Sequence, residues 1–106
     1  MQRIGRVMRI REGKLEEYRR LHAAVWPEVL AALARAGIRN YTIYHHGGLL
    51  FSTMEYIGDD YVADRERLLA DPAMQRWNAL TGPCLEPLDG PAGAAWPSMD
   101  ELFHMD

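Results

Sequence analysis

Residues 38–57, IRNYTIYHHGGLLFSTMEYI, carry the pattern of a β-hairpin. β-Branched and aromatic residues recur in alternation through 38–46, and 49–57 continues in the same way, which is typical of strands with two different faces. Gly47-Gly48 lies between the two segments and provides the positive φ angles that a tight hairpin turn requires. The stretch therefore predicts two antiparallel strands, and with them a fold built on an antiparallel sheet.

The segment before this hairpin, residues 14–36, has the spacing of an amphipathic helix. Apolar or aromatic side chains recur at intervals of three and four on one face, at Leu15, Tyr18, Val25, Val29 and Ala32. His22 fills the gap in that series, so a titratable ring lies one turn from Tyr18 on the buried face. Pro27 lacks an amide donor, and we expect the helix to kink there or to restart with Pro27 in its first turn. Gly37 stands where a C-terminal cap belongs.

The flanking segments complete an alternating order of strands and helices. Residues 3–11 alternate apolar residues with arginines, which predicts a first strand whose arginines form a solvated face. After the hairpin, a second helical region opens at residues 58–60, and Asp71-Pro72 has the pattern of an N-cap followed by Pro at the first helical position. The alternation of residues 99–105 predicts a last strand.

The resulting order, β-α-β-β-α-β, predicts an α+β fold of the ferredoxin-like type, a split βαβ with an antiparallel sheet and helices on one face. A chain of 106 residues is long enough for one domain, residues 1–106, and too short for two. The other face of such a sheet is bare, and Tyr44, Phe51 and Met54 are candidates for it. We therefore predict a homodimer in which two sheets pack face to face, as in dimeric α+β barrels.

Residues 82–97 break this regularity. They hold four of the six prolines and three of the nine glycines and show no periodicity. A long segment of this kind is usually a functional lid or a disordered stretch. Leu85, Leu88 and Trp96 favour a packed segment. The sequence leaves open whether the segment closes over a ligand and whether the last strand crosses to a second subunit.

Composition excludes several classes of partner. The formal net charge of −3 disfavours nucleic-acid binding, which usually requires a basic surface. No apolar run approaches the roughly 20 residues that span a bilayer, so no membrane partner is expected. The segment MQRIGRVMRIREG lacks an apolar h-region, and we expect no signal peptide. Cys84 is the single cysteine, which fits a reducing compartment and a cytoplasmic protein.

Several kinds of reactive site are also disfavoured. His45 and His46 are neighbours on a strand and point to opposite faces, so they cannot bind one metal ion together. The sequence has no zinc or calcium motif and no glycine-rich phosphate loop, so neither a metal nor an organic cofactor is expected. Cys84 has no nucleophile signature and is interpreted as a bystander thiol.

The side chains that remain are suited to proton transfer and to binding a hydroxylated ligand. His22 is either a core histidine with its hydrogen bonds satisfied or a general acid or base, because its unperturbed pKa of about 6.5 suits both roles near neutrality. Tyr41 and Tyr44 point to opposite faces of their strand, and one of them is available to a polar pocket. Trp77 is either a core anchor or a wall against the apolar face of a sugar. These residues alone do not name a substrate.

The blocks EEYRRLHAAVWPEV, GIRNYTIY, LLF, QRW and DELFHM resemble, in this order, the L-rhamnose mutarotase family over nearly the whole chain. The resemblance implies a dimeric, ferredoxin-like α+β fold and interconversion of the α and β anomers of L-rhamnose without a cofactor. It assigns His22 as the proton donor and Tyr18, Tyr41 and Trp77 as contacts to the sugar. Where the family has a second tryptophan, this chain has Asn78, which either hydrogen-bonds a sugar hydroxyl in its place or marks a change in sugar specificity.

Mutarotation needs an acid at the ring oxygen and a base at the anomeric hydroxyl. His22 is expected to supply the proton. A bound water, a tyrosine and His22 in its other protonation state remain open as the base. Two other classes of protein fit the same fold, a cofactor-free monooxygenase of the dimeric α+β barrel type and a non-catalytic sugar-binding module. The sequence does not rank L-rhamnose against L-mannose or L-lyxose.

Overall fold

The structure, a computed structural model, describes residues 1–88 and 96–106. Within them, helices and strands follow one another in the order β-α-α-β-β-α-α-β. They are β1 (Gln2–Ile10), α1 (Leu15–His22), α2 (Pro27–Arg35), β2 (Ile38–His46), β3 (Leu49–Tyr56), α3 (Tyr61–Ala70), α4 (Pro72–Thr81) and β4 (Leu85–Glu86), with a 3-10 turn, Gly82–Cys84, before β4. None of the helices in this part of the chain is long and apolar enough to cross a membrane.

The four strands form one antiparallel sheet in the order β2-β3-β1-β4. This is the strand order of a split βαβ fold, in which the third strand inserts between the first two. The predicted α+β, ferredoxin-like class is therefore confirmed, and the sheet with its helices has the form of a half-barrel.

The β2–β3 hairpin closes through Gly47 and Gly48, which have φ angles of 58° and 79°. A β-bulge between Arg39 and Thr42 interrupts the pairing of the two strands, and Asn40 adopts a φ of 49° there. Because the bulge adds one residue to β2, Ile38 and Tyr41 both face the helices although they are three positions apart. The bulge therefore directs the Tyr41 side chain into the layer between sheet and helices.

The helical segment predicted for residues 14–36 is two helices. Pro27 occupies the first turn of α2, and Trp26 before it is extended, with φ −62° and ψ 138°. The second of the two expectations for Pro27 is thus the correct one. His22 becomes the last residue of α1, beside the break. Gly37 caps α2 with a φ of 84°, and a Cβ there would lie 3.2 Å from the Tyr56 ring.

The helices pack on the face of the sheet that carries the even-numbered residues of β3. Leu50, Ser52, Met54 and Tyr56 are all buried on this face. Apolar clusters join them to α1, α2 and the 3-10 turn, the larger members being Ile10, Tyr18, Ile38 and Cys84. The placement of Met54 on the bare face was wrong, because the alternation of β3 puts it under the helices with Tyr56.

The prediction of a last strand at residues 99–105 was also wrong. The free edge of β1 pairs instead with β4 and then with residues 97–99, through Val7 N to Pro97 O at 3.0 Å and Met99 N to Gly5 O at 2.8 Å. The rest of that segment has no strand partner among the described residues, and alternation without a partner does not make a strand. Residues 82–88, predicted to be irregular, hold the 3-10 turn and β4. The possible lid lies partly in residues 89–95, outside the described residues.

The opposite face of the sheet carries an apolar surface. Val7 and Phe51 are half-buried there, and Tyr44, which pairs with Phe51, is 61% exposed. The C-terminal segment reaches the same face, where Met99 lies over Gly5 and Arg3 pairs with Glu101 at 3.4 Å. This outer face, defined by Val7, Tyr44 and Phe51, remains largely open to solvent.

Candidate active site

Four aromatic rings meet where α1 ends. Tyr18 and His22 lie one turn apart on α1 and stack with their centroids 4.1 Å apart. Trp77 of α4 meets His22 edge to face at 5.3 Å, and Trp26 meets Trp77 in the same way at 5.2 Å. The structure therefore brings His22, Tyr18 and Trp77 together, as the sequence predicted.

The position of Trp77 follows from how α4 begins. The Asp71 carboxylate accepts hydrogen bonds from the amides of Ala73 and Met74, and Pro72 occupies the first turn. This arrangement fixes the start of the helix. Trp77 then packs with Val29 of α2 and is 5% exposed. Trp77 is thus an anchor of the helix layer, and its ring also lies against His22.

His22 has a defined tautomer. Its Nδ1 lies 3.0 Å from the backbone oxygen of Tyr18, which can only accept a hydrogen bond. Nδ1 therefore donates, and Nε2 of the neutral ring keeps its lone pair. Burial lowers the pKa of His22 from 6.5, and the hydrogen bond to Tyr18 opposes this only in part. At neutral pH the ring is mostly uncharged, and Nε2 can accept a proton.

The two candidate tyrosines keep their protons. Burial raises the pKa of Tyr18 well above its usual 10, and the nearby Tyr41 and Cys84 add to the increase. Burial also raises the pKa of Tyr41, although the positive charge of Arg6 acts in the opposite direction. The Tyr41 side chain is 43% exposed, but its hydroxyl lies in crowded surroundings. Both phenols can exchange hydrogen bonds with sugar hydroxyls, and neither is suited to be the base.

The remaining predicted site residue, Asn78, lies at the surface. It follows Trp77 on α4, and its side chain is exposed. The side chain of Asn78 forms no hydrogen bond with another residue within 1–88 or 96–106. The structure therefore places Asn78 beside the aromatic wall and leaves its amide available to a ligand.

Arg6 is a candidate that the sequence reasoning missed. The arginines of residues 3–11 were interpreted as a solvated face, but Arg6 is half-buried on the helix side of β1. Its Nη2 donates to the hydroxyl of Tyr61 on α3 at 2.6 Å. The signal was present in the alternation, because Arg6 shares a face with Ile4 and Met8.

Other reactive groups do not form a second site. His45 lies opposite Leu50 and His46 opposite Leu49, so the two imidazoles face different sides of the sheet, as predicted. Among the described residues, no group of three or more histidines, cysteines and acids could hold a metal ion. Cys84 is fully buried, and burial raises the pKa of its thiol, so it is unreactive.

Comparison with known proteins gives a consistent result. The sequence profile of a family described as L-rhamnose mutarotase matches residues 3–105. A protein named L-rhamnose mutarotase from Sinorhizobium fredii is 35% identical over 100 residues, 92% of each chain. One named L-fucose mutarotase from Xanthomonas campestris is 34% identical and covers 99% of this chain and 89% of its own. The crystal structure of an L-rhamnose mutarotase from Formosa agariphila, 21% identical, shares the fold with a TM-score of 0.78 and full coverage of both chains.

Proposed function

This chain belongs to the L-rhamnose mutarotase family, and we propose that it interconverts the α and β anomers of L-rhamnose. It is therefore an isomerase that acts on a free sugar. The observation that carries the proposal is the stack of His22 on Tyr18 beside Trp77, with Nε2 of the imidazole unprotonated in the neutral ring. A proton-handling group beside a flat apolar wall is the combination that a hemiacetal of a 6-deoxy sugar requires.

Mutarotation requires the transfer of one proton from the anomeric hydroxyl to the ring oxygen. Ring opening removes the proton from the anomeric hydroxyl, breaks the bond between C1 and the ring oxygen, and places a proton on that oxygen. The aldehyde then rotates about the C1–C2 bond, and closure by the reverse steps gives the other anomer. No redox step or co-reactant enters this balance, so one group that both accepts and donates a proton is sufficient.

His22 is the proposed group. Its lowered pKa makes the uncharged ring the resting form, so Nε2 first takes the anomeric proton and the imidazolium then gives it to the ring oxygen. The family resemblance assigns His22 as the donor, and this sequence of steps keeps that role. It also favours His22 itself as the base among the alternatives left open by the sequence. The raised pKa values of Tyr18 and Tyr41 support the same choice.

The other site residues are proposed to hold the sugar. Tyr18 and Tyr41 exchange hydrogen bonds with ring hydroxyls, since both phenols stay protonated at neutral pH. Trp77 packs against the apolar face or the C6 methyl group. Asn78 hydrogen-bonds a hydroxyl at the open side of the site, where its amide is exposed. No cofactor takes part.

Saturation transfer in ¹H NMR tests the activity directly, since it measures exchange between the two anomers of L-rhamnose at equilibrium. Wild-type protein should raise the exchange rate well above the spontaneous rate. His22→Ala should lower the catalysed rate by on the order of 10²-fold or more, the usual contribution of a general acid or base. His45→Ala is the matched control, because it removes an exposed histidine of the hairpin and should leave the rate unchanged.

Two results would contradict the proposal at different points. If wild-type protein leaves exchange at the spontaneous rate, the mutarotase activity is wrong, and the two alternatives, a sugar-binding module and a cofactor-free monooxygenase, remain. If wild type is active and His22→Ala is equally active, the activity stands and the assigned group is wrong.

The molecular setting of the activity completes the proposal. Residues 1–106 act as one domain, and two copies form a homodimer through the outer face of the sheet. Support comes from the exposed Tyr44 beside Phe51, an apolar surface that a second sheet would cover. A cytoplasmic location is in keeping with a single, buried cysteine.

A further inference from the structure

Arg6 holds a positive charge inside the layer between the sheet and the helices. It faces the helices from β1, opposite Ser52 of β3, and its Nη2 donates to the Tyr61 hydroxyl at 2.6 Å. The guanidinium carbon also lies 6.0 Å from the centre of the Tyr61 ring. Tyr61 in turn packs edge to face on Tyr56 at 5.1 Å. The guanidinium is therefore held in a fixed position by a ring that is itself fixed.

One donor of this group has no partner. Arg6 Nε is buried from solvent, and no acceptor lies within hydrogen-bonding distance of it among residues 1–88 and 96–106. No carboxylate in the same part of the chain forms an ion pair with Arg6, whereas Arg3, Arg19, Arg35 and Arg67 each have an acid within 4.0 Å. A buried donor on a charged group is costly to leave unpaired, so an acceptor from outside the chain is expected there.

The unpaired donor lies on the side of the sheet that faces the helices, the same side as Tyr41. Tyr41 faces the helices two positions before Ile43, which pairs with Ser52, the partner of Arg6 on β3. The positive charge of Arg6 acts to lower the pKa of Tyr41, against the larger effect of burial, and Tyr41 contributes to the raised pKa of Tyr18. Polar groups thus extend from His22 through Tyr18 and Tyr41 to Arg6. An oxygen held at Arg6 would belong to the part of a sugar remote from the anomeric carbon.

We propose that Arg6 is a substrate-contacting residue, whose guanidinium donates through Nε to a secondary hydroxyl of the bound sugar, and that Tyr61 is its positioning residue. The inference rests on the proposed function for the identity of the sugar. It adds a determinant of specificity that the resemblance does not contain. A sugar that lacks an oxygen at this point would leave the buried N–H unpaired, which is how protein sites reject deoxy analogues.

The test is a comparison of sugars and variants by direct binding. Affinities for L-rhamnose and its 2-, 3- and 4-deoxy analogues are measured by calorimetry, which needs no catalysis. One analogue should bind wild type about tenfold more weakly than L-rhamnose, equivalent to about 1.4 kcal/mol. Arg6→Met should bind L-rhamnose about tenfold more weakly and bind that analogue no worse than L-rhamnose. In anomer exchange, Arg6→Met should raise KM and leave kcat within about threefold of wild type.

Further variants separate the contact from a structural effect. Tyr61→Phe keeps the ring and the charge of Arg6 and removes only the positioning hydroxyl, so it should show a smaller loss with the same analogue. It also serves if Arg6→Met fails to fold. Arg19→Met removes an exposed arginine from α1 and should leave all affinities unchanged. Asp89→Asn removes the one acid of residues 89–95 and should do the same.

The outcomes distinguish this inference from the proposed activity. If neither Arg6→Met nor Tyr61→Phe abolishes the discrimination against any analogue, a water molecule satisfies Arg6 and the inference is wrong. If Asp89→Asn reproduces the loss seen in Arg6→Met, an internal acid is the partner and the inference is again wrong. A third outcome is that Arg6→Met abolishes discrimination against one deoxy analogue while wild-type protein leaves anomer exchange at the spontaneous rate. In that case the contact between Arg6 and the sugar stands, and the mutarotase activity is wrong.

Discussion

At the scale of single residues, the site depends on one backbone carbonyl. Tyr18 O accepts a hydrogen bond from the N–H group of His22 Nδ1, which leaves the lone pair of the neutral ring on Nε2. Burial makes the charged ring unfavourable, and the edge of Trp77 closes one side. The imidazole is therefore fixed in tautomer and largely uncharged at neutral pH. Both properties come from its place as the last residue of a helix, one turn after Tyr18.

The protonation state of His22 gives a pH dependence with a definite sign. Because the uncharged ring is the proposed active form, the catalysed rate should rise with pH through a pKa below 6.5 and stay level above it. The rate that remains in His22→Ala is subtracted at each pH to remove spontaneous exchange. A catalysed rate that falls between about pH 6 and pH 8 would show instead that the resting form is the imidazolium.

The same lowered pKa has a consequence for stability. The unfolded chain binds a proton at His22 more readily than the native chain does. The contribution of this residue to the free energy of unfolding is therefore complete above pH 6.5 and is lost as the pH falls through the pKa of the native state.

At the scale of elements, the residue that caps α4 also contacts α2, and the helix that it caps positions Trp77. The Asp71 carboxylate accepts hydrogen bonds from two backbone amides. It also forms a salt bridge with Arg35 of α2 at 3.2 Å. The pair is largely exposed on the arginine side and contributes little. The two capping bonds matter more, because they fix the helix that presents Trp77.

Asp71→Ala should therefore lower the free energy of unfolding by about 1–2 kcal/mol, the usual cost of a lost N-cap. Urea denaturation followed by circular dichroism measures this. Asp59→Ala removes an exposed acid just before α3 and should change stability by less than about 0.5 kcal/mol. Equal losses in the two variants would show that the capping bonds are not the cause.

Local signals explain what could be predicted from the sequence. The glycine pair of the hairpin, Pro27 and Asp71-Pro72 each restrict the backbone within a few residues, so the elements they bound were found. The stack of Tyr18 and His22 follows from helical spacing alone. The ferredoxin-like order followed from these elements taken together.

Other features depend on contacts distant in sequence. The two-residue β4 exists because Arg9 and Ile10 offer a free edge, and nothing within residues 82–88 indicates this. The burial of Arg6 depends on Tyr61, which is 55 positions away along the chain. The bulge at Asn40 has no strong local signal. Met54 was misplaced because it lies three positions after Phe51, and residues an odd number of positions apart on a regular strand point to opposite faces.

At the scale of the whole molecule, the two faces of the sheet have different surroundings. The helix side carries the candidate site, and the outer face, with Val7, Tyr44 and Phe51, is the surface proposed to bind a second copy. Phe51 is half-buried and pairs with both Val7 and Tyr44, so it lies in the middle of this surface. A charge at its position would have to be desolvated on association.

Phe51→Lys should therefore convert a dimer into a monomer, which sedimentation equilibrium measures directly. Leu30→Lys is the matched control, because Leu30 is 54% exposed on α2, away from the sheet, and its replacement should leave the dimer intact. A wild-type chain that sediments as a monomer would refute the proposed assembly. Dissociation by both variants would point to general destabilisation.

The bulge in β2 also bears on how the molecule avoids polymerising. β2 is the outermost strand on its side of the sheet, and a long regular edge would be a template for the backbone of another chain. The bulge and the left-handed Asn40 interrupt that edge after its second residue. At the opposite margin, β4 offers two residues, bounded by Pro83 and Pro87, which have no amide to donate. The irregularity that turns Tyr41 into the layer between sheet and helices thus also protects the protein from edge-to-edge aggregation.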